Sequence, residues 1–346
     1  MLGPAAPCLT ALVVAAVLAG CGGGTAGVAK GSVPGSTTPP TTVAPSTTPT
    51  TVPPTASGLL RFSGARALSG TTALASVSCG GPTSCLALDA VGRGYQFNGS
   101  AWSGPVPAAP QAIGTGAVSV SCASPTLCMA VATAGNQVVS WNGQQWSAPT
   151  TLNGATGLEA VGCAPSGYCA AVDAEGDAFA FDGQSWRGTA GDWGSVSAIS
   201  CVSATFCMSV SGGISQWNGR SWTQPASFGT NSSFTGVSCP TVTFCTAVDQ
   251  GGQALQWNGQ TWSAPASIEA APTSATSLGI EPTGVSCPTA TYCLAVDNAG
   301  GAIQWAGGSL SRKVIDPGAA LTSVSCSTAS LCVAVDKSGR VLIGRP

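Results

Sequence analysis

From residue 59 onward the chain repeats one pattern of apolar and polar positions seven times. Each copy opens with a segment that is β-branched at its centre and otherwise small, as in Ser76-Val77-Ser78-Cys79, Ser119-Val120-Ser121-Cys122 and Gly236-Val237-Ser238-Cys239. After five intervening residues a second cysteine begins an apolar run, as in Cys245-Thr246-Ala247-Val248-Asp249. A third segment ends in an aromatic before a turn (Ala254-Leu255-Gln256-Trp257-Asn258-Gly259), and a fourth carries a second aromatic five residues later, in Trp262-Ser263-Ala264-Pro265. The turn dipeptides Asn98-Gly99, Asn142-Gly143, Asn218-Gly219 and Asn258-Gly259, with Asp182-Gly183 as a variant, lie between apolar runs. They are strong hairpin signals, because such turns need residues that accept positive φ. The pattern predicts four short antiparallel strands per copy.

The cysteines set the period. Fourteen of the sixteen fall into seven pairs: Cys79/Cys85, Cys122/Cys128, Cys163/Cys169, Cys201/Cys207, Cys239/Cys245, Cys287/Cys293 and Cys326/Cys332, with successive pairs 38 to 48 residues apart. That period suits a four-stranded propeller blade, and residues 59–346 divide into about 41 per blade. The seventh copy stops after its third strand, at Val341-Leu342-Ile343-Gly344. Residues 61–68 stand unpartnered before the first copy and align with residues 261–268. The expected fold is therefore an all-β, seven-bladed β-propeller, its ring closed by the N-terminal strand joining the last blade. Closure removes the edges an open array would expose.

Two segments precede the repeats. Residues 12–18 (LVVAAVL) are apolar but too few to span a bilayer, which suits a signal peptide. No Lys or Arg precedes them. The following Leu18-Ala19-Gly20-Cys21 resembles the bacterial lipobox, which implies cleavage before Cys21 and diacylglycerol on its thiol. The alternative is plain secretion with cleavage near Ala19. Residues 22–58 are rich in Thr, Pro, Ser and Gly, lack aromatics and carry one charge, Lys30. Such a segment buries too little apolar surface to order itself. It reads as a tether with a reach on the order of 100 Å. The expected organisation is a signal peptide over 1–20, a lipidated tether over 21–58 and a propeller over 59–346, held at the cell membrane on its extracytoplasmic side.

Charge narrows the partners. Only 7% of residues are charged, the net charge is -2, and there is no histidine. Nucleic acid is not expected as a partner, because it needs dense Lys and Arg. Imidazole chemistry is excluded outright. No cofactor or metal is expected. The expected contacts are the membrane, through the lipid, and a glycan or protein ligand; the protein is expected to be a monomer.

The repeat resembles bacterial seven-bladed propellers, in particular the Cys-paired, Trp-Asn-Gly-repeat secreted proteins of high-GC bacteria. The resemblance covers residues 59–346 and implies a fold, not an activity. Five residues between cysteines, in a chain matured outside the cytoplasm, favour disulfides over zinc ligands. The aromatics of the third and fourth strands read as packing between blades, with a sugar-stacking surface as the other reading. Asp89, Asp173, Asp249, Asp297 and Asp336 each begin Asp-x-x-Gly, a turn signature. The motif is partly similar to the Asp-box of sialidase-like propellers, but the spacing to Trp differs. No catalytic residue is assigned. Ligand-binding candidates lie on connections between blades: Asp192 and Trp193, and the longest insertion, bounded by Glu269 and Glu281. An enzymatic reading, glycosidase or lyase on the central channel, needs at least two carboxylates within about 5–10 Å of one another, and Asp192, Glu159, Glu175 or Asp177 crowded with an Arg on one face would favour it. A third reading is a surface spacer without a specific ligand.

Overall fold

The computed structural model describes residues 59–68, 70–106, 116, 118–189, 191, 194–229, 233–268, 279–306 and 309–346. The lipid-attachment candidate Cys21 and the ligand candidates Asp192, Trp193 and Glu269 lie outside these residues. The sheets form a seven-bladed β-propeller. In blade 1 the strands run from the axis outward as Leu74–Gly81, Ser84–Asp89, Gly94–Phe97 and Trp102–Val106. Blade 7 takes Leu321–Thr328, Leu331–Asp336 and Arg340–Arg345 from the end of the chain. Its outer strand comes from the start of the propeller: Arg61 pairs Arg345, Phe62 pairs Gly344, and Arg66 pairs Val341. The ring closes as the sequence predicts.

Apolar side chains collect in seven clusters among the described residues, each shared by two adjacent blades. The second strand of a blade is covered on both faces. Leu86 and Leu88 pack toward blade 2, while Cys85 and Ala87 pack toward blade 7. This explains why the Cys-x-Ala-Val-Asp runs are apolar throughout instead of alternating.

All seven expected cysteine pairs are disulfides across the hairpin of the first two strands. Cys79 is bonded to Cys85, Cys122 to Cys128, Cys163 to Cys169 and Cys201 to Cys207. Cys239 is bonded to Cys245, Cys287 to Cys293 and Cys326 to Cys332. The sulfurs lie 2.00–2.11 Å apart. The second member of each pair belongs to the core. Cys128 is buried with Trp141 and Trp146 in the cluster of blades 1 and 2, and Cys169 with Phe179 and Leu158 in that of blades 2 and 3.

The small inner strands do more than fit a crowded axis. The serine before the first cysteine accepts a hydrogen bond from the backbone N–H of the first cysteine in the next blade. Ser78 binds Cys122, Ser121 binds Cys163, Ser200 binds Cys239, Ser238 binds Cys287, Ser286 binds Cys326, and Ser325 binds Cys79, at 2.9–3.0 Å. Each seam is thus stitched by this serine, except that between blades 3 and 4, where Gly162 takes the serine position. A Cβ on Gly162 would stand 2.9 Å from the Ile199 carbonyl oxygen.

The outer strands differ from the simple expectation. In blades 1, 2, 4 and 5 the pairing register shifts by one residue along this strand: Trp262 bridges Trp257, whereas Ala266 pairs Ala254. Pro105, Pro149, Pro225 and Pro265 occupy these strands, and proline has no N–H to continue the ladder. Blades 3 and 6 have no proline there, and their outer ladders run unbroken from Phe181–Trp186 to Ala178–Thr189 and from Ala306–Ser309 to Gly301–Val314. Blade 4 keeps only two isolated bridges, Trp217 to Trp222 and Ile214 to Ala226.

Candidate functional site

Three regions of the ring can meet a ligand: the axial channel, the face carrying the Asp turns, and the wedges between outer strands.

The channel is walled by the seven inner strands, mainly Ser, Thr, Ala, Gly and Val. Its charged lining residue is Glu159 in blade 3. The Glu159 carboxylate accepts hydrogen bonds from Ser195 Oγ and the Val196 N–H, both at 2.8 Å. The equivalent position in blades 5, 6 and 7 is a threonine that donates to the next blade: Thr235 to Pro282, Thr283 to Leu321 and Thr322 to Leu74. Glu159 thus bridges the seam that lacks a serine stitch, and its oxygen is committed to that task.

On the next face, each Asp of an Asp-x-x-Gly turn is fully buried. Asp89 Oδ1 accepts the N–H groups of Val91 and Arg93, and Asp336 Oδ1 those of Ser338 and Arg340. The glycine of each turn has positive φ, as at Gly92 (83°). The turn reading of these residues holds. The sequence did not disclose that the second oxygen holds a cation in blades 1, 6 and 7. Asp89 pairs with Arg93 at 2.8 Å, Asp297 with Arg312 at 2.8 Å, and Asp336 with Arg340 at 2.6 Å. Arg340 also binds Asp316 at 2.9 Å, in the connection from blade 6 to blade 7. Burial, and then the hydrogen bond to Asp336, push the Asp316 carboxyl up to about 6. Burial works against ionised Asp336 too, but Asp316 and Arg340 hold its carboxyl below the usual range.

Of the carboxylates considered for catalysis, Glu175 and Asp177 sit on the turn that Asp173 caps, where their N–H groups bind Asp173 Oδ1. Glu281 is exposed where the chain enters blade 6; its N–H donates to Asn298 Oδ1, and its carbonyl accepts the Asn298 N–H. Glu159, Glu175 and Asp177 form no ion pair with an Arg among the described residues. No group of three or more metal-ligating side chains stands together there either.

Two of the wedges hold sizeable clefts. Blades diverge outward, and the aromatic pair of each hairpin fills the widening gap toward the preceding blade. The pairs face one another in register: Phe97 with Trp102, Trp141 with Trp146, Phe181 with Trp186, Trp217 with Trp222, and Trp257 with Trp262, centroids 5.4–5.8 Å apart. Each Asn-Gly loop that joins them has four residues. The Asn98 Oδ1, for instance, accepts the N–H groups of Ser100 and Ala101. Between blades 1 and 2 the filling is complete, with Trp141 and Trp146 buried against Leu86 and Leu88. Between blades 4 and 5, Phe228 packs on Trp262 at 6.2 Å. Between blades 2 and 3 the wedge stays open. Blade 3 offers Phe181 in place of a third-strand Trp, and blade 2 opposes it with Ser140, Ser147 and Ala148. The result is a cleft of about 720 Å³. A more apolar cleft of about 560 Å³ lies between blades 5 and 6, against Trp305 and Leu310.

No family model matches the chain. No curated protein matches it either. Among solved structures, the fold is similar to that of YCF48 bound to D1 peptide, with a TM-score of 0.63 at 13% identity, over 82% of this chain and 97% of that one. It is similar to virginiamycin B lyase from Staphylococcus aureus, with a TM-score of 0.67 at 12% identity, over 83% and 99%. It is likewise similar to the RRP9 WD40 repeats, with a TM-score of 0.67 at 11% identity, over 83% and 99%. At these identities the likeness is one of fold.

Proposed function

We propose that the protein is a lipid-anchored, extracytoplasmic binding module, a non-catalytic propeller that engages a cell-wall glycan or a surface protein. The observation that carries this reading is the contrast between the ring's interior and its rim. Buried Asp89, Asp297 and Asp336 are spent on turns and ion pairs, and Glu159 on a seam. The rim, by contrast, presents preformed clefts, the usual form of a recognition site. Seven disulfides suit an oxidising compartment. The lipobox-like segment ending at Cys21 supports the anchor, and the Thr/Pro-rich tether gives the head its reach.

Fold neighbours give this reading company. YCF48 has been seen with a peptide bound, which favours a protein ligand as readily as a glycan. The lyase neighbour does not transfer its chemistry. A variant of that enzyme with one histidine replaced by alanine is catalytically inactive, and this chain has no histidine.

Intact-mass analysis of the membrane fraction should show an acylated chain that begins at Cys21. A soluble, unmodified mature chain would reject the anchor. The full chain in detergent should co-sediment with purified insoluble cell wall, or capture a surface protein in a pull-down against the cell envelope. Failure of both would leave only the spacer reading.

A further inference from the structure

The cleft between blades 2 and 3 combines two features. Its floor is aromatic: half-buried Trp186 stands beside half-buried Phe181, ring centroids 5.4 Å apart. Its rim is polar, uncharged and uncommitted. The side chains of Ser140, Thr150, Thr151, Asn153, Gln184 and Ser185 line it and make no hydrogen bond with any described residue. All of these except Ser140 are exposed. No Asp, Glu, Lys or Arg lines the cleft. The two charges on the adjoining hairpin, Asp182 and Arg187, pair with each other at 3.5 Å. The lining runs from the Asp182-Gly183 turn at one end of blade 3 to the connection that leaves blade 2 at Asn153. A ligand in it would therefore lie alongside the outer strands as an extended chain.

We propose that this cleft is a saccharide site for a neutral, linear glycan. Trp186, backed by Phe181, offers an apolar face on which a sugar ring stacks. Amides and hydroxyls on both walls donate to and accept from ring hydroxyls, which are donors and acceptors at once. The lack of charge selects against polyanions, which would give up hydration there without gaining a cation. The same lack separates this cleft from the wedge between blades 7 and 1, where Arg66 lines the wall. The proposal rests on the binding-module reading and names the ligand class and the place.

The test uses the full chain in detergent and neutral tetrasaccharides of five backbones: β-1,4-glucan, α-1,4-glucan, β-1,4-linked N-acetylglucosamine, mannan and arabinan. Binding is read by tryptophan fluorescence and calorimetry. At least one should bind saturably, and Trp186→Ala should weaken it about tenfold or more, as loss of an aromatic stacking face predicts. Trp186→Tyr should restore part of the affinity. Exposed Asn153→Ala and Gln184→Ala should each weaken binding while the melting temperature stays put, which separates recognition from folding. Lys337→Ala, exposed on the turn of blade 7, should leave affinity unchanged. Saturable binding that survives Trp186→Ala and Asn153→Ala would overturn the site. The absence of binding by all five tetrasaccharides would overturn the ligand class. If the wild type still co-sediments with cell wall in either case, the binding-module reading stands without this site. If it does not, and captures no protein, that reading falls with it.

Discussion

Single atoms decide how the seams hold. In the Ser-x-Ser-Cys repeat, the serine before the cysteine gives its oxygen to an N–H in the next blade, so Ser325→Ala leaves the Cys79 N–H without its partner. An orphaned half-buried donor costs about 1–2 kcal/mol, and unfolding of the oxidised chain by denaturant should show a loss of that size. Glu159→Ala removes an acceptor shared by two donors and should cost a similar amount, or somewhat more. Gly162→Ser would restore the repeat motif, yet it should destabilise, because its Cβ meets the Ile199 carbonyl at 2.9 Å. A gain in stability there would show that seam 3/4 has room for a stitch. These partners were hidden in the sequence for a geometric reason. The period of the repeat shows which residues are equivalent. It does not show that Ser78 lies against Cys122, 44 positions away, and not against its own neighbours.

Asp316 gives the ring a pH dependence of definite sign. Its carboxyl titrates near 6 in the folded ring and near 3.8 in the open chain. Between these values the folded state holds a proton that the unfolded state has lost. Its contribution is therefore fully present below the lower value and disappears as pH rises through the upper one. Asp336, held low, has the opposite sign, but its contribution is lost only below the ordinary carboxylate range. The chain has no histidine to confuse the window. Stability should thus rise by on the order of 1 kcal/mol from pH 7 to pH 5. Asp316→Asn should flatten that slope in melting curves taken across the range. An equal slope in the variant would assign the dependence to another group.

At the scale of strands, the closing element was the most legible part of the chain and its fastening the least. A seventh copy lacking its fourth strand, and a spare strand at the other end, were enough to predict the pairing of residues 61–68 with blade 7. The fastening comes from blade 6. Buried Gln304 accepts the Leu60 N–H at 2.8 Å, donates to the Leu60 carbonyl at 3.2 Å, and accepts from the Tyr292 hydroxyl. Phe62 lies over Gly344, where a Cβ would stand 2.8 Å from the ring, so the aromatic that other blades carry in the third strand is supplied here from the fourth. Gln304→Ala strands both polar groups of Leu60 in a buried site. It should cost about 2–3 kcal/mol and raise hydrogen exchange selectively over residues 60–68. Unchanged exchange there would mean that pairing with Arg340–Arg345 alone secures the strand. The open cleft was illegible at this scale too. Whether a wedge fills depends on what two neighbouring blades oppose to each other, and residues such as Ser140 and Phe181 look ordinary within their own repeats.

Across the whole ring, the repeats are equivalent in plan but not in strength, and the differences coincide in one place. Blade 4 has Ser211 where five blades have the capping Asp (blade 2 has Ala132), its outer strand keeps two isolated bridges instead of a ladder, and its seam with blade 3 lacks the serine stitch. Each deficit is small, but all fall on the same cooperative unit, and local opening follows the least-held unit. The disulfides make this measurable. The second cysteine of every pair is at most 2% exposed, and in blades 4 to 7 the first is buried too, so a reductant reaches those bonds only when a blade opens. Each bond closes a short loop worth about 2 kcal/mol at most, so a reduced blade is further loosened. Under mild reducing conditions, with thiols trapped by alkylation and located by mass spectrometry, Cys201 and Cys207 should be modified ahead of Cys326 and Cys332 at the closing seam, whose first cysteine is equally buried. If the closing seam released its thiols first instead, the junction of head and tail would be the ring's weakest point, and the stitches around it would count for less than the single unstitched seam.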